Sequence, residues 1–119
     1  IKGYPFGSLY SMTKGAIRLF TKSIALEFAA LKYNIRVNSI HPGLVDTPMV
    51  EHESDKLSQL GAMGATTPAE MRLALQSLNP TGRMGTPQEL ANAVAFLASD
   101  LSSFMNGSEM IVDGGETAG

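Results

Sequence analysis

Tyr10-Ser11-Met12-Thr13-Lys14-Gly15-Ala16-Ile17-Arg18-Leu19-Phe20, running on to Leu31 and followed closely by Ile35-Arg36-Val37-Asn38-Ser39-Ile40-His41-Pro42-Gly43, is the stretch on which the fold turns. In its first part Ile17, Phe20, Ile24, Phe28 and Leu31 recur at three- and four-residue spacing with no proline between them. This period predicts a helix over Tyr10 to Leu31. Ala16, Leu19, Ala25 and Leu26 widen the apolar face beyond one stripe, so the helix is expected to meet both a sheet and another helix. In the second part, Ile35 to Ile40 is short and rich in β-branched residues, and His41-Pro42-Gly43 stops it, which predicts a strand. A helix feeding a strand in this way points to an α/β fold.

Downstream, one helix-start device occurs three times: Thr47-Pro48, Thr67-Pro68 and Thr86-Pro87. Thr can cap an orphan backbone N–H, and Pro fits the first helical position, where no donor is needed. Glu70 and Glu89 each follow their Thr by three and complete a capping box. Helices are therefore expected from Pro68 and from Pro87, the latter reaching about Ser99 and burying Leu90, Val94 and Leu97. Met49 to Gly64 is less regular and reads as a short helix leading into a mobile lid. Asn79 to Gly85 reads as a loop, and Glu109 to Asp113 as a last strand ended by Gly114-Gly115.

Composition narrows the function classes. The 119 residues, 44% of them hydrophobic, suffice for one ordinary domain. Nine Lys and Arg against eleven Asp and Glu leave a net charge of -2 with no basic block, so nucleic acid is not an expected partner. No apolar run approaches the length of a membrane helix, and the opening Ile1-Lys2-Gly3-Tyr4-Pro5 has no signal-peptide core; the expectation is a cytoplasmic protein with no membrane partner. Without cysteine there is neither disulfide nor thiol chemistry, and no metal site is expected.

Tyr10 and Lys14 stand four residues apart at the helix start, about 40° apart on its circumference and one turn from each other. A cation held one turn from a phenol favours the phenolate, which brings such a pair into range for general acid–base work. The spacing alone is a weak signal that favours a solvated stripe of Lys14, Arg18 and Lys22, although steps of four drift round the helix and carry Lys22 about 120° from Tyr10.

Further segments stand in a characteristic order: Asn34-Ile35-Arg36-Val37-Asn38, Pro42-Gly43 with Thr47 four on, Gly82-Arg83-Met84-Gly85-Thr86-Pro87-Gln88-Glu89, Phe96-Leu97-Ala98-Ser99-Asp100 and Val112-Asp113-Gly114-Gly115. Together with Tyr10 and Lys14 they resemble the short-chain dehydrogenase/reductase family, over essentially the whole chain. The resemblance implies the C-terminal half of a Rossmann-like, doubly wound parallel sheet, with residues 1–119 supplying two strands plus the catalytic helix, a substrate lid and the last helix. It implies an NAD- or NADP-dependent oxidoreductase acting on a secondary alcohol or ketone, in a homo-oligomer, dimer or tetramer. It assigns Tyr10 as the acid–base and Lys14 as the residue that tunes Tyr10 and bonds the nicotinamide ribose. Pro42 and Gly43 would lie beneath the nicotinamide, the Val45 backbone would hold its carboxamide, and the Thr47 hydroxyl would add a carboxamide or phosphate contact. Pro42-Gly43 reads equally as a strand terminator and Thr47 as an N-cap, and for His41 the expectation is packing.

The same resemblance places the family's catalytic Ser, its Gly-rich phosphate loop and its proton-relay Asn upstream of these segments. Ser8 is too close to Tyr10 to stand in for that Ser. Thr13 replaces the commoner Ser, and Met12 is bulkier than usual. The rival expectation is a catalytically inactive piece that serves only as an oligomer-interface or assembly module.

Overall fold

The computed structural model describes residues 8–118, so Ile1 to Gly7 lie outside the described residues. The elements in order are α1 (Ser8–Ala30), β1 (Ser39–Pro42), α2 (Pro48–Gln59), a 3₁₀ turn (Ala62–Gly64), α3 (Pro68–Ser77), α4 (Pro87–Ala98), a second 3₁₀ turn (Asp100–Ser102) and β2 (Glu109–Val112). β1 and β2 are neighbours in a two-stranded sheet. Ser39 N–H donates to the Ser108 carbonyl and Gly43 N–H to that of Val112, a constant offset that makes the pair parallel. The described residues form two compact units, residues 8–41 with 92–111 and residues 42–91 with 112–118. Among the described residues no helix is long and apolar enough to cross a membrane.

In the first unit α1 ends in a Schellman motif. Tyr33 N–H bonds the Phe28 carbonyl, Lys32 N–H bonds that of Ala29, and Lys32 takes the left-handed conformation at φ 58. The Phe28 and Tyr33 rings, 5.5 Å apart, make the hydrophobic contact that accompanies this cap. The helix leans on its unit through a narrow stripe of Arg18, Thr21, Ala25 and Phe28, of which Thr21 and Ala25 are buried. The wide apolar face does not lie against this unit: Leu19 is 71% and Leu26 73% exposed, and Phe20 points to solvent. Arg18 and Lys22 instead reach Glu109 on β2 at 2.7 and 3.0 Å.

The first strand is shorter and later than the β-branched run suggested, starting at Ser39 rather than Ile35. The reason lies in what bonds the backbone before it. Val37 N–H donates to the Asn106 side chain and its carbonyl accepts from Gly107, while Asn38 reciprocates by bonding the Met105 carbonyl and Ser108 N–H. Arg36 turns inward and donates to the carbonyls of Leu97, Ser99 and Ser102, capping the end of α4 and the turn after it. Residues 35–38 are thus tied by side chains and a single backbone bond at Val37 rather than by a continuous ladder, and Ile35 stays 52% exposed. On α4 the expected burial also fails: no residue is buried and Val94 is 51% exposed.

The second unit holds the α2 and α3 hairpin. Both capping boxes form as the sequence implied, Glu70 with Thr67 and Glu89 with Thr86. α2 is more regular than expected. Ser54 and Ser58, one turn apart, are buried and return their hydroxyls to the Val50 and Asp55 carbonyls, so small, self-satisfied side chains let α2 approach α3 and its fully buried Met71. Beyond α2, Gly61 and Gly64 take positive φ, and so does Met63 at φ 54.

Candidate active site

Tyr10 and Lys14 project from the first turns of α1, and the Lys14 ammonium lies 5.4 Å from the centre of the Tyr10 ring. The structure therefore brings this pair together. Tyr10 is 59% exposed, and among the described residues Lys14 makes no ion pair with a carboxylate. Thr13 donates its hydroxyl to the Tyr10 carbonyl at 2.8 Å, so its polar group is spent on the helix backbone. The neighbouring Ser11 hydroxyl is buried without a partner.

Pro42, Gly43, Val45 and Thr47 belong to the second unit. Pro42 closes β1. A Cβ on Gly43 would stand 2.9 Å from both Cα and Cβ of Asp113 and 3.0 Å from its carbonyl oxygen. Gly43 is thus demanded by the close approach of Asp113, a reason no local reading of Pro42-Gly43 reveals. Leu44 to Asp46 pairs with Gly85 through a parallel bridge at Val45. The two bonds come from Asp46 N–H and the Leu44 carbonyl, which leaves the N–H and C=O of Val45 itself out of that pairing. Thr47 occupies the N-cap of α2 with extended backbone, yet its side chain makes no cap bond. Of the two readings of Thr47, hydroxyl capping is therefore set aside here, and the hydroxyl remains available.

Asp113 and Asn79 organise the floor of this unit, and sequence reasoning gave neither a role. Asn79 donates to the Asp113 carbonyl at 2.7 Å and accepts from Thr81. The Asp113 carboxylate accepts from the Thr117 hydroxyl and from Gly115 and Thr117 N–H groups, and these bonds, the Thr117 hydroxyl first, hold its pKa below the ordinary value. The only advance signal was the placement of Asp113 before two glycines. Arg83 and Glu89 form a bidentate pair, and with the Thr86 bonds it pulls the Glu89 pKa down to about 2. A hollow of about 160 Å³ lies among Leu44, Asn79, Arg83, Leu90 and Asp113; none of Pro42, Gly43, Val45 and Thr47 lines it.

His41 behaves as packing. Its Nε2 lies 2.8 Å from the Ser39 hydroxyl, and burial lowers its pKa against the opposing pull of Glu109. Among the described residues no group of His, Cys, Asp and Glu is arranged to hold a metal ion.

Two parallel strands joined through helices, with a Tyr and Lys pair on the helix before them, define one side of an α/β fold of the Rossmann type. The family model described as Enoyl-(Acyl carrier protein) reductase matches residues 1–117. The chain belongs to the short-chain dehydrogenase/reductase family. It is 43% identical over 118 residues to a cyclopentanol dehydrogenase of Comamonas sp., covering 98% of this chain and 41% of that protein. Over 116 residues it is 37% identical to an NADP-dependent (R)-specific alcohol dehydrogenase of Lentilactobacillus kefiri, again spanning 98% of this chain and 41% of the relative. The crystal structure of a short-chain dehydrogenase family protein from Francisella tularensis superposes with a TM-score of 0.82 at 40% identity, over 92% of this chain and 43% of that one. The chain thus spans about two fifths of the length of the relatives it matches.

Proposed function

We propose that residues 1–119 are the C-terminal, catalytic part of an NAD- or NADP-dependent oxidoreductase that interconverts a small secondary alcohol and its ketone. The observation that carries this reading is the Lys14 ammonium 5.4 Å from the Tyr10 ring on an exposed helix face. Tyr10 Oη exchanges a proton with the substrate oxygen, donating it when a ketone is reduced and accepting it when an alcohol is oxidised. Lys14, unpaired with any carboxylate among the described residues, offsets the negative charge that develops on that oxygen and offers its remaining donors to a ribose hydroxyl. The bound nicotinamide supplies or accepts the hydride.

The donor chemistry of the second unit, taken by itself, suits a nicotinamide carboxamide. The uncommitted Val45 backbone and the Thr47 hydroxyl, which does not cap α2, match the acceptors and donors of a carboxamide. Pro42 and Gly43 end β1 on the approach to them. Met49, Leu60 and Met63, all exposed along α2 and the turn after it, give an apolar and adaptable wall for a hydrocarbon substrate. The names of the two alcohol dehydrogenase relatives support a secondary alcohol, the first of them cyclic.

Tyr10→Phe in the complete enzyme tests the reading. Loss of the titrating oxygen alone lowers kcat by about 10²–10⁴-fold while the fold and cofactor affinity persist. A variant that kept most of its rate at saturating cofactor would overturn the acid–base role. Cytoplasmic residence and a homotetramer belong to the same proposal.

An assembly role is favoured by a separate observation. Leu9, Met12, Ala16, Leu19, Ser23 and Leu26 follow one another at alternating three- and four-residue steps on α1, and all are exposed. This seam suits pairing with another helix. Sedimentation at micromolar concentration decides it, since a monodisperse monomer excludes this seam as a subunit contact.

A further inference from the structure

Asn106-Gly107 lies between the second 3₁₀ turn and β2 and plays no part in the chemistry above. Asn106 is exposed, and the residue after it lacks the Cβ that would hinder approach to the Asn side chain. We propose that Asn106 is a site of spontaneous, non-enzymatic deamidation whose rate is set by opening of this segment, so that conversion records the time the fold has spent locally open.

The step needs only water. The deprotonated backbone nitrogen of Gly107 attacks Cγ of Asn106; a C–N bond forms, the Cγ–Nδ2 bond breaks and ammonia leaves. Water then opens the resulting succinimide at either carbonyl and yields an aspartyl or isoaspartyl linkage. Each atom involved is committed in the folded chain. Gly107 N–H, the nucleophile, donates to the Val37 carbonyl at 2.7 Å. The Asn106 carbonyl oxygen accepts from Val37 N–H at 2.9 Å, and its amide nitrogen, the leaving group, donates to the Ala25 carbonyl at 3.3 Å. Gly107 also sits at φ +68. Attack therefore requires release of the Val37 segment, a local opening and not global unfolding.

The consequence for the fold follows from the same bonds. A carboxylate at position 106 still accepts from Val37 N–H, but it has no hydrogen to give the Ala25 carbonyl and sets a negative charge against that oxygen. Deamidation thus loosens the tie between α1 and the segment that leads into β2, on the helix that carries Tyr10 and Lys14.

The experiment incubates the purified protein at mildly alkaline pH, folded and in guanidinium chloride, and follows the 106–107 peptide by mass and by isoaspartate content. In denaturant Asn106 should convert ahead of Asn34, Asn38, Asn79 and Asn92, each of which precedes a residue with a side chain. Gly107→Ala should slow it there, where folding plays no part. In the folded protein conversion should be at least about tenfold slower, the factor that corresponds to an opening cost of about 1.4 kcal/mol. Asn106→Asp should lower the melting temperature, while Asn34→Asp at the exposed position after α1 should lower it less. Equal rates in the folded and denatured states, or faster conversion at another asparagine in denaturant, would overturn the proposal.

Discussion

Gly43→Ala separates the two reasons for a glycine at this position. The added methyl carbon would stand 2.9 Å from two atoms of Asp113, and ordinary contact begins near 3.4 Å, so the chain ends beyond β1 and β2 must part by about half an ångström. The obstacle is backbone and Cβ, not the tip of a flexible side chain, and it cannot swing away. The same movement stretches the 3.1 Å bond from Gly43 N–H to the Val112 carbonyl. Overpacking of this kind costs about 2 kcal/mol, which lowers the melting temperature by roughly 8 °C for a domain near this size. The assay is thermal melting of the cofactor-free protein, because a role limited to nicotinamide contact leaves that melt unchanged. A Gly43→Ala variant melting within about 1 °C of the original would refute the steric argument and return the position to cofactor binding alone.

Three other substitutions probe the supports of the fold. Arg36→Met leaves the carbonyls at the end of α4 without their donor and is expected to cost about 3 kcal/mol, read from the denaturant midpoint; an unchanged midpoint would mean that water replaces the guanidinium freely. Lys32→Gly relieves a left-handed residue at the Schellman position and should stabilise by about 1 kcal/mol, and a fall in midpoint would show that Lys32 is held there by contacts worth more than the strain. Glu89 carries a pKa lowered from 4.5 to about 2, first by the Arg83 bond and then by Thr86. Its folded value lies below its unfolded one, so its contribution is full above about pH 4.5 and is lost as pH falls toward 2. Denaturant midpoints across that window should decline less for Glu89→Gln than for the original chain, and parallel slopes would show the pair adds no pH dependence.

The features legible in the sequence are those that a few neighbouring residues determine. Thr67-Pro68 with Glu70, and Thr86-Pro87 with Glu89, began helices where expected because the capping box closes within four residues. Tyr10 and Lys14 met because a helix brings residues four apart to one face. Ile35 to Asn38 misled for the opposite reason. Its β-branched side chains suit a strand, but its backbone is claimed by Asn106 and Gly107, partners some seventy residues away. Gly43 likewise looked like a terminator or a cofactor contact, since nothing near it in the chain reveals Asp113.

The reading of α1 succeeded in period and failed in direction, and the cause bears on what the helix is for. An ordinary surface helix turns its leucines inward, whereas here Arg18, Thr21, Ala25 and Phe28 face the unit while Leu9, Met12, Leu19, Phe20 and Leu26 face away. Between Arg18 and Ala25, small and polar residues suit the inner face because Glu109 on β2 meets Arg18 and Lys22 there, and Ala25 comes within 3.5 Å of where a side chain on Gly107 would begin. Large apolar side chains would hold the helix off these contacts. The outer face has no such constraint, and five large apolar side chains left to water are costly, at about 25 cal/mol for each Å² that a partner surface would cover. A second surface laid against that face would remove the cost, which is the physical ground for the seam proposed on α1. Hydrophobic period alone, blind to which face is which, does not distinguish the two sides of such a helix.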